Sequence, residues 1–190
     1  MSNHSKPPAA GDKPAVLILG LGNVLFGDDG LGIDAIARLQ RDYHTPSDVR
    51  IEDGGTLGLS LLALLAETEY LILVDAVRTD DPPGTLVRLD GKEAADAARD
   101  RLSPHQVGVA DLLDAARLIG CYPQVVTLLG LVPEAMEWSV ARSKAINDGM
   151  DALVEAIVRE VQGLGHGVVC KTKTAGDHRF DHDWDRHFGM

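Results

Sequence analysis

The chain has 190 residues, 45% apolar and 25% charged, which fits one domain of ordinary globular composition. A formal net charge of −11, with the 18 Lys and Arg residues scattered, argues against nucleic-acid binding, and no apolar run approaches the roughly 18 residues of a membrane-spanning helix. Cys121 and Cys170 are far apart and show no CxxC spacing, so they read as plain thiols rather than as part of a zinc ribbon or disulfide framework.

Residues 1–14, MSNHSKPPAAGDKP, are polar and proline-bearing, with no apolar segment ahead of a cleavage site. They read as a flexible lead-in, and a cytoplasmic protein is expected. The folded domain is expected over 15–165. It opens with a strand, AVLILG (15–20), a glycine-spaced turn, GNVLFGDDGLG (22–32), and a helix over 32–43 with Ile33, Ile36, Ala37 and Leu39 on one face. VRIED (49–53) is the next strand, followed by a helix over 57–67. YLILVDA (70–76) and TLVRLD (85–90) are strands; a helix over 107–120 precedes the strand QVVTLLGL (124–131), and a long helix fills 145–165. Nearly continuous apolar strands are strands covered on both faces. Their alternation with helical segments predicts an α/β fold, a three-layer sandwich with a mostly parallel, twisted sheet of about five strands and helices on both faces. Residues 166–190 hold four of the seven histidines (His166, His178, His182 and His187) and read as a flexible or partner-contacting His/Asp-rich extension.

In such folds ligands gather beyond the carboxyl ends of the strands, so polar residues just after strands carry the functional information. Four stretches qualify: GDDG after the first strand, EDGGT after the second, VDA closing the third, and SPHQ ahead of the helix at 107. One acid of Asp28 and Asp29 could serve as a helix N-cap, but a cap needs a single carboxylate. Asp75 and His105, taken singly, have ordinary readings as a solvated strand-end acid and a loop hydrogen-bonder. Taken together, two carboxylates and an imidazole on one rim make a mixed oxygen and nitrogen site suited to nickel, zinc, copper or iron. A Rossmann-type nucleotide site is the rival reading of GLGNVLFG. Its spacing is GxGxxxxG rather than GxGxxG, and the acid pair sits where pyrophosphate would be repelled.

LGLGNVLFGDDGLG resembles the N-terminal signature of the hydrogenase maturation endopeptidases, G-[IVL]-G-N-x-L-x-x-D-[DE]-G-x-G, met at every position from Gly20 to Gly32. DGGT (53–56), LILVDAV (71–77), PGTLVRL (83–89), SPHQVGVADLL (103–113) and LGLVPE (129–134) match further blocks of that family in order, so the resemblance covers about residues 15 to 162. It implies a cytoplasmic endopeptidase, of aspartyl type, that removes the C-terminal extension of a nickel-iron hydrogenase large-subunit precursor after nickel insertion.

By the same resemblance Asp29, Asp75 and His105 are the metal-binding and catalytic residues, with Asp53, Gly54 and Gly55 as a supporting loop. The implied metal is nickel carried by the substrate, with another divalent ion able to occupy the site in isolation. The implied partners are the precursor and other maturation factors. Hydrolysis could run through a metal-polarised carbonyl, metal-activated water or a carboxylate general base. A non-catalytic, nickel-dependent chaperone of the precursor is the alternative. Trp138 falls where the family varies and is open to either docking or packing.

Overall fold

Alternate residues along each apolar strand face opposite sides of the sheet, and both sides are covered. The computed structural model describes residues 15–55, 61–99 and 109–171. Strand β1 (Val16–Leu21) sends Val16 and Ile18 into one core and Leu17, Leu19 and Leu21 into the other, and all six of its residues are buried. β4 (Tyr70–Ala76) does the same, with Ile72 and Val74 on the first side and Leu71 and Leu73 on the second. The sheet is completed by β3 (Val49–Gly55), β5 (Leu86–Asp90) and β6 (Val125–Leu131), in the order β3-β1-β4-β6-β5. All pairings are parallel except β5 on β6. The fold is the α/β sandwich read from the alternating segments.

Helices α1 (Leu31–Asp42) and α5 (Lys144–Gly163) cover the first face. The short α2 (Leu62–Leu65) and α4 (Val109–Ile119) cover the second, together with α3 (Gly91–Arg99), whose Ala94 and Ala95 are buried there. α5 buries Ile146, Met150, Leu153, Val154, Ile157, Val158 and Val161, the three-and-four spacing of a helix lying on a sheet. Its start is fixed by Ser143, whose hydroxyl accepts the Ile146 N–H at 3.2 Å.

Three features differ from the sequence reading. α3 was not expected, because GKEAADAAR carries no large apolar residue; its small alanines let the helix lie close against the sheet. The helix expected over 57–67 is helical at Leu62–Leu65, and residues 56–60 lie outside the described residues. It stops because the chain is turning into β4: Thr68 Oγ1 donates to the Leu64 carbonyl at 2.8 Å, and the Glu69 N–H already pairs with Ala15. Residues 166–171, counted with the extension, pack on the domain. β7 (Val169–Cys170) pairs antiparallel with β2 (Tyr43–His44), and the buried His166 sets Nδ1 3.2 Å from Asp48 Oδ2. The rest of that extension and the lead-in lie outside the described residues. Among the described residues no helix is long and apolar enough to cross a membrane.

Ile157 is fully buried between α5 and the sheet. Ile157→Ala is expected to lower the unfolding free energy by about 2–5 kcal/mol through lost burial and the cavity left behind. Urea unfolding followed by circular dichroism measures it, with the slope against urea unchanged.

Candidate active site

The strand order places the site. From β1 the chain passes through α1 on one face to β3, and from β3 through α2 on the other face to β4, on the far side of β1. Connections therefore diverge at the carboxyl ends of β1 and β4, the kind of crevice where open α/β sheets bind ligands. Asp29 follows β1, and Asp75 is the next-to-last residue of β4.

The β1 exit is built for close approach. Gly22 has φ +117, and a Cβ there would collide with the Asp29 carbonyl oxygen, so the loop can fold back over the acid pair only because this residue has no side chain. Gly27–Gly30 then forms one 3-10 turn, packed against β4, in which both acids are buried.

The two acids divide their tasks. Asp28 is fully buried, and its Oδ2 accepts the N–H groups of Glu134 (2.8 Å) and Ala135 (2.9 Å), while Oδ1 accepts that of Ser143 (2.7 Å). Burial by itself would raise its pKa. The backbone N–H bonds from Ala135, Ser143 and Glu134 outweigh that effect and hold the carboxyl below its ordinary value of 3.8. Asp29, one residue on, takes the Asn23 N–H on Oδ2 at 2.7 Å, a bond inside its own loop. Asp28 thus fastens the turn to the segment after β6 and to the start of α5, and Asp29 is left to the rim.

Asp75 is 1% exposed, and its Oδ1 accepts the Ala76 N–H at 2.7 Å. Gly20 of β1 pairs with Val74 on one side and Asp53 on the other, which brings the ends of β3, β1 and β4 to one level. Asp29, Asp75 and Asp53 therefore share one rim. Asp53 is exposed, whereas Asp29 and Asp75 are buried. Gly54 lies against Leu19 and Leu21, where a Cβ would press on both side chains, and Gly55 sits at the register shift opposite Leu21 with φ +32. His105 lies outside the described residues. Among the described residues no three His, Cys, Asp or Glu side chains form a metal cluster.

Arg142 was not singled out from the sequence. Its side chain is nearly buried; Nε donates to Asp34 Oδ2 at 2.8 Å, and Nη1 donates to the carbonyls of Gly27 (2.7 Å), Val24 (3.3 Å) and Val140 (3.3 Å). A guanidinium beneath a loop of buried acids is hard to read from one sequence, because Arg142 stands over a hundred residues from Asp34, Gly27 and Val24.

The pattern that describes the hydrogenase maturation proteases (HycI) matches residues 33–160, about two thirds of the chain. The chain belongs to the hydrogenase maturation protease family. Curated relatives agree. The chain is 34% identical over 151 residues to the hydrogenase 2 maturation protease of Escherichia coli K12, covering 79% of this chain and 92% of that one. It is 38% identical over 152 residues to the hydrogenase expression/formation protein HupD of Rhodobacter capsulatus, covering 79% and 72%. Among solved structures, the maturating endopeptidase HybD of E. coli superposes with a TM-score of 0.79 at 32% identity, over 84% of this chain and 99% of the other. A hydrogenase 2 maturation peptidase from a Thaumarchaeota archaeon gives 0.59 at 34%, over 78% and 98%. As a maturation protease the chain is a peptide-bond hydrolase, and the glycine turn that also suggested a nucleotide site is, in this fold, the mount of two buried acids.

Asp28→Ala leaves three N–H donors of the protease without their carboxylate. A loss of about 3 kcal/mol or more is expected, since each orphaned buried donor costs about 1–3 kcal/mol. The folded-state pKa of Asp28 is depressed, so its stabilisation is fully present above the unfolded value and is lost as pH falls through the lower folded value. Thermal melting from pH 6 to pH 2 is expected to show a shallower acid loss in Asp28→Asn than in the native chain.

Proposed function

We propose that this protease acts in the cytoplasm on the precursor of a nickel-iron hydrogenase large subunit, removing its C-terminal extension after nickel has been inserted. The observation that carries this reading is the pair of buried acids, Asp29 and Asp75, on one rim at the reversal of strand order, in a chain of the maturation protease family. The E. coli relative is named for the maturation of hydrogenase 2, and that assignment supports a hydrogenase precursor as the substrate here.

Nickel enters as part of the substrate. Carboxylate oxygens and an imidazole nitrogen are suitable donors for it, and Asp29, Asp75 and His105 together offer that set. Each carboxylate is already oriented by a backbone N–H, so little side-chain freedom is left to lose on docking. The ion then acts as a recognition element: a precursor that carries it completes its coordination on the enzyme, and one that lacks it does not. Docking in this way also fixes the register of the peptide bond to be cut. Hydrolysis consumes one water, which adds to the peptide carbonyl and gives up a proton, while the departing amine takes one. A rim carboxylate is the group that relays it.

Incubation with nickel-loaded precursor is expected to shorten the large subunit by its C-terminal extension, read by mass spectrometry, whereas metal-free precursor keeps its full mass. An unshortened nickel-loaded precursor would overturn the cleavage, and shortening of both forms would overturn the nickel gate. Asp29→Asn, Asp75→Asn and His105→Ala are each expected to slow processing by about 100-fold or more with melting temperature retained. A His105→Ala enzyme that processes at the native rate removes the assignment of that residue.

A further inference from the structure

Two segments from opposite ends of the domain run side by side next to Asp29. The Gly27 N–H donates to the Ser139 carbonyl at 2.8 Å and the Ser139 N–H to the Leu25 carbonyl at 3.1 Å, so Phe26 and Ser139 form an isolated parallel bridge. Arg142 Nη1 ties the carbonyls of Val24 and Val140 from beneath. The Trp138 ring meets Phe26 edge-on, with centroids 5.8 Å apart. The backbone of this platform is therefore well bonded, yet its side chains are in water: Val24 is 43% exposed, Leu25 51%, Val140 75% and Trp138 80%. Single exposed apolar residues are ordinary, but four on one hydrogen-bonded platform, one of them an indole, mark a binding surface.

We infer that this platform is the docking surface for an apolar segment of the precursor, with Trp138 as its anchor. The occupant follows from continuity with the rim. The Leu25 N–H donates to Asn23 Oδ1 at 3.0 Å, and the Asn23 N–H donates to Asp29 Oδ2, so a single residue separates the apolar surface from the rim acid. A protein substrate seated at Asp29 must extend over a neighbouring surface, and this platform is joined through Asn23 to the carboxylate it approaches. The inference rests on the reading of Asp29 as part of the substrate site. The platform gives affinity and partner choice, while the acids give chemistry, and the two are separable by measurement.

The test uses the full chain and nickel-loaded precursor. Trp138→Ala, and separately the double variant Val24→Ser with Val140→Ser, are expected to raise KM for precursor at least about tenfold with kcat within twofold, as for loss of a hot-spot contact. In a Trp184→Phe background Trp138 is the sole indole, and its emission is expected to shift to shorter wavelength when precursor is added, whether or not cleavage occurs. If the native enzyme shortens the precursor while Trp138→Ala does so with unchanged KM and the emission does not move, the docking surface is overturned and the proposed function stands. If the emission shifts but nothing is cut, the docking surface stands and the proposed function fails. Self-association abolished by Trp138→Ala, with precursor binding unaffected, would assign the platform to a second copy of the chain and overturn the inference.

Discussion

Three backbone N–H groups converge on one carboxylate, that of Asp28, and the site exists in its present form because they do. The turn after β1 has local bonds that fix its shape but not its place on the domain, and Glu134, Ala135 and Ser143 lie more than a hundred residues away in sequence. By holding them Asp28 closes a long loop and fixes where the turn, the segment after β6 and the start of α5 meet. The ionised form suits that place, since Ser143 is the N-cap of α5 and a negative charge there is favoured by the helix dipole. A neutral amide has one acceptor oxygen and would serve three donors poorly.

Asp28 and Asp29 stand side by side but bond differently: Asp28 reaches the segment after β6 and the start of α5, whereas Asp29 accepts the Asn23 N–H of its own loop. The other buried acid of the rim comes from β4 with no turn of its own: the parallel register levels Val74 with Gly20, and the strand ends one step past Asp75. The reversal of strand order between β1 and β4 gives these two ends a crevice between diverging connections. β5, the antiparallel strand, lies at the far edge, beyond β6, where its direction does not disturb that crevice.

The strands and the long helix were legible because their residues report burial directly: β4 is read to the residue, and α5 to within two at each end. α3 was hidden because alanines signal close packing only when the facing surface is known. The short β2 and β7 pair by backbone bonds across more than a hundred residues, and no local pattern announces such a pairing. For the candidate site, strand-end logic picked out the Asp28–Asp29 pair, Asp75 and the exposed Asp53, which the fold sets along one rim. It could not divide Asp28 from Asp29, since the division depends on which acid meets distant N–H groups. Arg142 was illegible for the same reason: its role is set by carbonyls that become neighbours only in the folded chain.

Arg142 also explains how an exposed apolar platform is held in place. Loops usually gain order by burying side chains, but Val24, Leu25, Trp138 and Val140 are largely in water and supply little of that stabilisation. Order comes from below, where one planar cation meets a carboxylate and three carbonyls at once. A lysine ammonium, a point charge on a flexible stem, could not span the same set in fixed geometry. The buried guanidinium is tolerable because Asp34 balances its charge at Nε and carbonyls accept from its Nη1. One polar frame therefore holds both the loop of Asp29 and the apolar surface beside it, so that a displacement of either would move the other.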